Sequence, residues 1–281
     1  MPPPGAPRAR IAAGRRHSVG LRADGRVLAA GRPGAEECRT ADWGDVVSVA
    51  VGSVHTAVNT GRGHTVGLRS DGTVLATGWD GDGQCAVGGW GGVVAVAAGW
   101  RRTLAVLSDG TAVAGGRRTE GACDVQGWDR LVAVTAGDWH SVGLRDDGTV
   151  LATGLDRRGQ CAVAGWREVV AVSAGTVHTV GLTADGRVLS AGGPAGAGTE
   201  DWRGVVAVSA GSHHTVGLLG DGTVLACGDD THGQGAVRGW RDVVAVAAGS
   251  AHTLGLRADG TVLAVGAEDD ERCRTDRWLL A

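Results

Sequence analysis

Histidine returns down this chain in one setting. In Gly-x-x-His it stands at His17, His55, His64, His140, His178, His214 and His252, and Arg102 takes the corresponding place in one copy. Imidazole can serve as a general acid or base, or as a metal ligand. Either use needs groups that converge within a few ångströms, and one histidine per repeat of a wide ring does not converge. A structural role is expected instead, a ring N–H bonding a loop carbonyl. Cysteine shows the same regularity: Cys38, Cys85, Cys123, Cys161 and Cys273 each lie five residues before a tryptophan. One repeat position means one role, so free, buried thiols are expected rather than disulfides, as in a reducing compartment. The stretch "WDGDGQC" at Trp79 faintly resembles a calcium loop. Its counterparts "LDRRGQC" and "DDTHGQG" mark it as an ordinary inter-strand loop with other decoration. There is no CxxC, no nucleotide-binding glycine motif before a helix and no serine-nucleophile motif. No catalytic residue, metal site or cofactor is expected.

The elements that carry these residues repeat. Trp43, Trp90, Trp128, Trp166, Trp202, Trp240 and Trp278 mark a register with spacings of 47, 38, 38, 36, 38 and 38 residues. Such a period indicates radial or stacked supersecondary units. One unit reads "RDVVAVAAG", "SAHTLGLR", "ADG", "TVLAVG", a variable loop, then "CRTDRW". The first run is short, β-branched and bounded by Gly, and the second alternates Leu254 and Leu256 with polar or small residues, so both predict strands. Asp259-Gly260 between two such runs predicts a hairpin with a primed turn. A short fourth strand is drawn through "QCAV" at 84–87 and 160–163, and essentially no helix is expected. Seven units of about 38 residues and four antiparallel strands each predict an all-β, seven-bladed β-propeller. It would span 9–281, with repeats ending near 43, 90, 128, 166, 202, 240 and 278, after a flexible tail at 1–8. Trp278-Leu279-Leu280-Ala281 starts a unit that Ala9 to Gly14 nearly restores, as a closed ring requires, with the pairing of the two termini left open.

Composition narrows the partners. All 27 basic residues are arginine and the net charge is −3, which offers no general attraction to nucleic acid or to an anionic membrane. The cluster Arg8, Arg10, Arg15 and Arg16 reads as a solvated terminus. "MPPPGAPRAR" lacks the apolar run of a secretory signal, and no spanning run of about 20 apolar residues follows, which predicts a soluble, cytoplasmic chain.

The unit "VVAVAAGxxHTVGLxxDGTVLAxGxDxxGQ" resembles the repeat of the regulator of chromosome condensation family. That resemblance covers roughly residues 9–281 and implies a seven-bladed propeller. The short period is similar to a bacterial branch whose secreted member inhibits β-lactamases by a face-on protein contact. In that inhibitor the two positions inside Gly-x-x-His are rich in aromatic residues that meet the partner, which implies that register for Trp100 and Trp139.

The letters that break the repeat carry the functional reading. Beyond the seven periodic tryptophans stand Trp79, Trp100 and Trp139. Strand direction places all three in loops on one face, here called the top, within three adjacent blades. The insertion "AVNTGRGHT" lengthens a top loop beside them, and Arg101 and Arg102 follow Trp100. Trp and Arg are enriched at interface hot spots. The expected function is a non-catalytic, monomeric module that binds another protein through Trp79, Trp100, Arg101, Arg102, Asp138 and Trp139. Arg101 and Arg102 would offer forked hydrogen bonds to partner carboxylates. Arg15, Arg16, His213 and His232 are secondary candidates. The alternatives are an enzyme with a small-molecule site in the axial funnel, using His213, His232, Asp138 and Arg15, and an inhibitor of a β-lactamase or protease.

Overall fold

A computed structural model describes residues 8–52 and 63–281. The tail at 1–7, His55 and most of the inserted stretch lie outside the described residues. The chain forms seven antiparallel sheets of three strands, arranged as the blades of a β-propeller. The blades that matter most here are blade 2 (Val46–Val51, His64–Arg69, Val74–Gly78), blade 3 (Val93–Gly99, Arg102–Leu107, Ala112–Gly116) and blade 4 (Leu131–Ala136, His140–Arg145, Val150–Gly154). Among the described residues helix is confined to two short 3-10 turns, Glu36–Cys38 and Pro194–Gly196. No helix among the described residues is long and apolar enough to cross a membrane.

The predicted fourth strand is replaced by turns. In blade 2 the Ala86 N–H bonds the Gly83 carbonyl at 3.2 Å and the Trp90 N–H bonds the Val87 carbonyl at 2.9 Å, so the backbone closes on itself. Side chains cause this. Asp80 Oδ1 accepts the Cys85 N–H at 2.6 Å, and Gln84 accepts the Asp82 N–H while donating to the Trp79 carbonyl at 2.7 Å. Asp and Gln that bond nearby backbone groups compete with ladder pairing. The Asp-Gly turn also differs from expectation. Gly260 alone is left-handed, at φ +86°, and the Arg257 N–H bonds the Thr261 carbonyl at 2.9 Å. The loop is therefore three residues long with one left-handed glycine, whereas a primed turn would need two such residues.

Six of the seven periodic tryptophans cross to the next blade and lie on its mid-strand glycine. A Cβ on Gly181 would stand 2.7 Å from the Trp166 ring, and one on Gly217 would stand 2.7 Å from Trp202. Blade 3 has Ala105 there, and Trp90 instead faces Gly115. Gly181→Ala should therefore cost about 1–3 kcal/mol by overpacking, read as a lowered urea midpoint with unchanged slope.

The ring closes by the same contacts. The Val46 N–H bonds the Gly25 carbonyl and the Val243 N–H bonds the Gly222 carbonyl, each at 3.1 Å, and at the seam the Leu280 N–H bonds Gly260 at 2.8 Å. Trp278 covers Gly20 of the first blade, Leu280 packs with Ile11 and Ala13, and the Arg10 guanidinium donates to the Leu280 carbonyl.

Candidate functional site

The histidines form a girdle between blades, bonding hydroxyls and not the loop carbonyls expected. His17 Nε2 is 2.9 Å from Thr65 Oγ1, His64 is 3.0 Å from Thr103, and His140 is 2.7 Å from Thr179. His178, His214 and His252 continue to Thr215, Thr253 and Ser18, returning to the first blade. Each hydroxyl donates onward to a carbonyl, as Thr179 does to Gln160 at 2.7 Å. Its proton is thus committed, so Nε2–H is the donor. Burial pushes His17 and His140 down to about 3 and His64, His178 and His214 to about 4. The cysteines are free; only Cys123 is fully buried and the others are half-buried. Burial pushes the Cys38 and Cys85 thiols up to about 12, which leaves them unreactive.

Arg102 is the seventh link of the girdle. It is 2% exposed, and its Nε donates to Ser141 Oγ at 3.0 Å. Its remaining N–H groups reach the carbonyls of Gly137 (2.6 Å), Asp138 (2.9 Å), Trp100 and His140. The expectation that Arg102 meets a partner carboxylate is therefore corrected, because every arm of the fork is engaged inside the fold.

Of the three irregular tryptophans, Trp100 and Trp139 meet ring to ring, and Trp79 joins them through Arg101. Glycine carbonyls set their loops: the N–H after one Gly bonds the Gly carbonyl of the next blade, as Trp100 does to Gly137 (3.4 Å) and Asp138 to Gly175 (3.3 Å). The Trp100 and Trp139 rings lie 4.3 Å apart at an interplanar angle of 54°. The Arg101 guanidinium is 4.6 Å from the Trp79 ring and 4.8 Å from Trp100, and Arg117 stands 5.1 Å over Trp100. Arg101 pairs with Asp82 at 3.3 Å and Arg117 with Glu120 at 2.6 Å. The result is a ladder of indoles and guanidinium planes joining blades 2, 3 and 4, with cation–π contacts along it. Trp79 and Trp139 are half-buried, whereas Trp100 is only 5% exposed. Trp100 thus supports its neighbours, and the contact surface belongs to the other two rings. Its Nε1–H is buried and has no hydrogen-bond partner among the described residues, and the same holds for Arg101 Nε.

Asp138 lies beneath this ladder. It is 1% exposed, accepts a 3.1 Å bond from the Thr176 hydroxyl, and burial pushes its carboxyl up to about 7. It is therefore no surface contact, contrary to expectation. It lines one part of the axial channel, a cavity of about 510 Å³ walled by Val, Ala and a few hydroxyls of the innermost strands. Arg15 adds its field to Asp138, while Arg16 pairs with Asp270 at 3.4 Å. His213 and His232 belong to blade 6, three blades on from Trp100, and His232 is exposed. Sequence reasoning missed Arg117 and its partner Glu120. The signal was present: Arg117 follows Gly116 as Trp79 follows Gly78, so both occupy one repeat position.

A propeller of near-identical blades whose departures gather in one group of loops defines the class. The chain belongs to the family of the regulator of chromosome condensation (RCC1) repeat, whose model matches residues 9–34, 56–84, 131–160, 169–194, 205–234 and 243–271. Blade 3, which carries Trp100, Arg101, Arg102 and Ala105, falls between the matched segments. Among solved structures the chain is similar to the CRINKLY WD40 ectodomain of the Arabidopsis thaliana receptor kinase ACR4, with 18% identity, 92% of this chain and 96% of that chain covered, and a TM-score of 0.69. It is also similar to human WBSCR16, at 16% identity, 93% and 90% coverage and a TM-score of 0.64. Prp20p of Saccharomyces cerevisiae, described with its binding to Gsp1p and histones, has 19% identity, 81% and 75% coverage and a TM-score of 0.62. These likenesses show the fold. No curated protein matches the chain in sequence.

Proposed function

We propose that this propeller is a non-catalytic module that binds another protein through the top loops of blades 2–4. The convergence of Trp79, Trp100 and Trp139 from three separate blades into one stack carries the reading. The repeat requires none of these residues, and aromatic and arginine side chains concentrate binding energy at interfaces. The description of Prp20p with Gsp1p and histones, as protein partners of a propeller of this family, is in keeping with it. Trp79 and Trp139 would be desolvated by the partner, and Trp100 and Arg101 would hold them at fixed height. Affinity capture from the source cell tests this with wild type beside Trp79→Ala/Trp139→Ala. The double variant should bind its partner ten- to a thousand-fold more weakly, about 1–4 kcal/mol, with an unchanged melting temperature. Unchanged capture would reject the proposal. Trp100→Ala, by contrast, should melt early, because its ring is already buried.

A further inference from the structure

We infer that the partner lays an acidic segment, anchored by an apolar side chain, across the basic sector around Trp139. This rests on the protein-binding reading and adds the partner's chemistry. Charge is unevenly spread over the top loops. In the loop after the third strand, blade 3 carries Arg117 and Arg118 and blade 4 carries Arg157 and Arg158. The same loop reads "GPAGAG" in blade 5, then "DDTHGQ" in blade 6 and "AEDDER" in blade 7, on the opposite side of the ring. Within the basic sector some of the charge is already spent. Arg101 pairs with Asp82 at 3.3 Å and Arg117 with Glu120 at 2.6 Å. Arg118, Arg157 and Arg158 are exposed, and no ion pair among the described residues engages them. The repeat explains the difference. Arg158 occupies the position of Asp82 and Glu120, four residues beyond the strand-ending glycine. In blade 2 that position meets Arg101, the second residue inside Gly-x-x-His of the next blade. Blade 5 has Val177 there, which offers Arg158 no opposite charge. Asp156, the acid of the same loop, accepts the Cys161 N–H at 2.7 Å.

The exposed guanidinium groups and the indole share one loop system. The Leu155 N–H bonds the Trp139 carbonyl at 2.9 Å, which ties the turn of Arg157 and Arg158 to the half-buried ring. The Arg117 N–H bonds the Arg101 carbonyl at 2.9 Å and holds the Arg118 loop beside it. A segment that fits offers carboxylates to the arginine forks and an apolar side chain to the indole. The ring supplies affinity, while the charges set encounter and orientation. The acids on blades 6 and 7 repel the same segment, so the face admits it on one side only. They also disfavour a nucleic acid. A polyanion broad enough to cover the face meets both sectors, and the chain's net charge is −3.

A ten-residue Glu-rich peptide with Leu and Phe at its centre is the probe. Its Gln counterpart, which keeps the apolar pair, and a ten-nucleotide oligothymidine are the comparisons, each titrated against the full chain by fluorescence anisotropy. At about 50 mM salt the acidic peptide should bind about tenfold or more tightly than either, and about 0.5 M salt should remove most of its advantage over the Gln peptide. Arg157→Glu/Arg158→Glu should weaken that binding about tenfold or more at an unchanged melting temperature, and so should Trp139→Ala. Glu268→Gln on blade 7 should leave it unchanged. Equal binding of the Gln peptide, or indifference to the Arg157→Glu/Arg158→Glu pair, overturns the inference. Tighter binding of oligothymidine overturns it too, and assigns the sector to a nucleic acid. If the cellular partner is captured through Trp79 and Trp139 but capture ignores the charge reversal, this inference fails and the binding module stands. If capture also ignores the two tryptophans, both fall.

Discussion

Between pH 7 and pH 5 the protein should unfold in one steep transition. Six girdle histidines are buried and neutral: His17 and His140 at about 3, His64, His178 and His214 at about 4, and His252 well below its ordinary value. In the unfolded chain each titrates near 6.5. A depressed histidine favours the folded state fully above the unfolded value, and that advantage is lost as pH falls below 6.5 because only the unfolded chain takes up the proton. At pH 5 the loss is about 2 kcal/mol for each of the first five, or about 10 kcal/mol, and His252 acts in the same direction. Asp138 works in the opposite direction. Its folded value, about 7, is raised, so acidification stabilises the fold at this one site and returns roughly 2 kcal/mol. The net is of the order of a whole domain's stability. Urea midpoints measured from pH 7 down to about pH 6, while the chain is still folded, should show uptake reaching about three to four protons on unfolding. A dependence of only one or two protons would mean that the rings are charged or hydrated in the folded state. His178→Gln should remove one proton from that slope.

Removing Trp278–Ala281 should be nearly as damaging. The truncation strips an indole, 8% exposed, from Gly20 and takes Leu280 from the cluster of Ile11, Ala13, Leu254 and Leu256. Deleting a buried Trp costs about 3–5 kcal/mol and a buried Leu about 2–5 kcal/mol. The Leu280 N–H bond to Gly260 and the Arg10 contact go as well. Trp166→Ala makes a comparable cavity at a joint that the chain still crosses, and it should lose only the indole's share. Thermal melts of the two variants side by side provide the measurement. If the truncated chain melts within a few degrees of wild type, the seam does not hold the ring.

Much of this architecture was legible because one unit is written seven times. The Trp spacing, the mid-strand glycine and the Asp-Gly turn each repeat, and a repeated letter reports a repeated packing need. The face shared by Trp79, Trp100 and Trp139 was readable too, since strand direction alone puts alternate loops on the same side. Burial was not. Trp100, Arg102 and Asp138 occupy loop positions that look exposed in one dimension, and only the neighbouring blade's Gly137 and Gly175 carbonyls close over them. The missing fourth strand has a similar cause. Its apolar letters suit a strand, but Asp80 and Gln84 capture the backbone first. The histidine partners lie 37–39 residues away along most of the girdle, so nothing local names them.

The girdle has one more consequence. Neutral dipoles running head to tail around a closed circle cancel in its plane, so histidine and hydroxyl alone would leave little lateral field. Arg102 interrupts that symmetry with a whole charge: burial lowers it only to about 10, so it stays cationic near neutrality. Within the girdle the charge is thereby lopsided, set at the joint between blades 3 and 4 with the Asp138 carboxyl beside it.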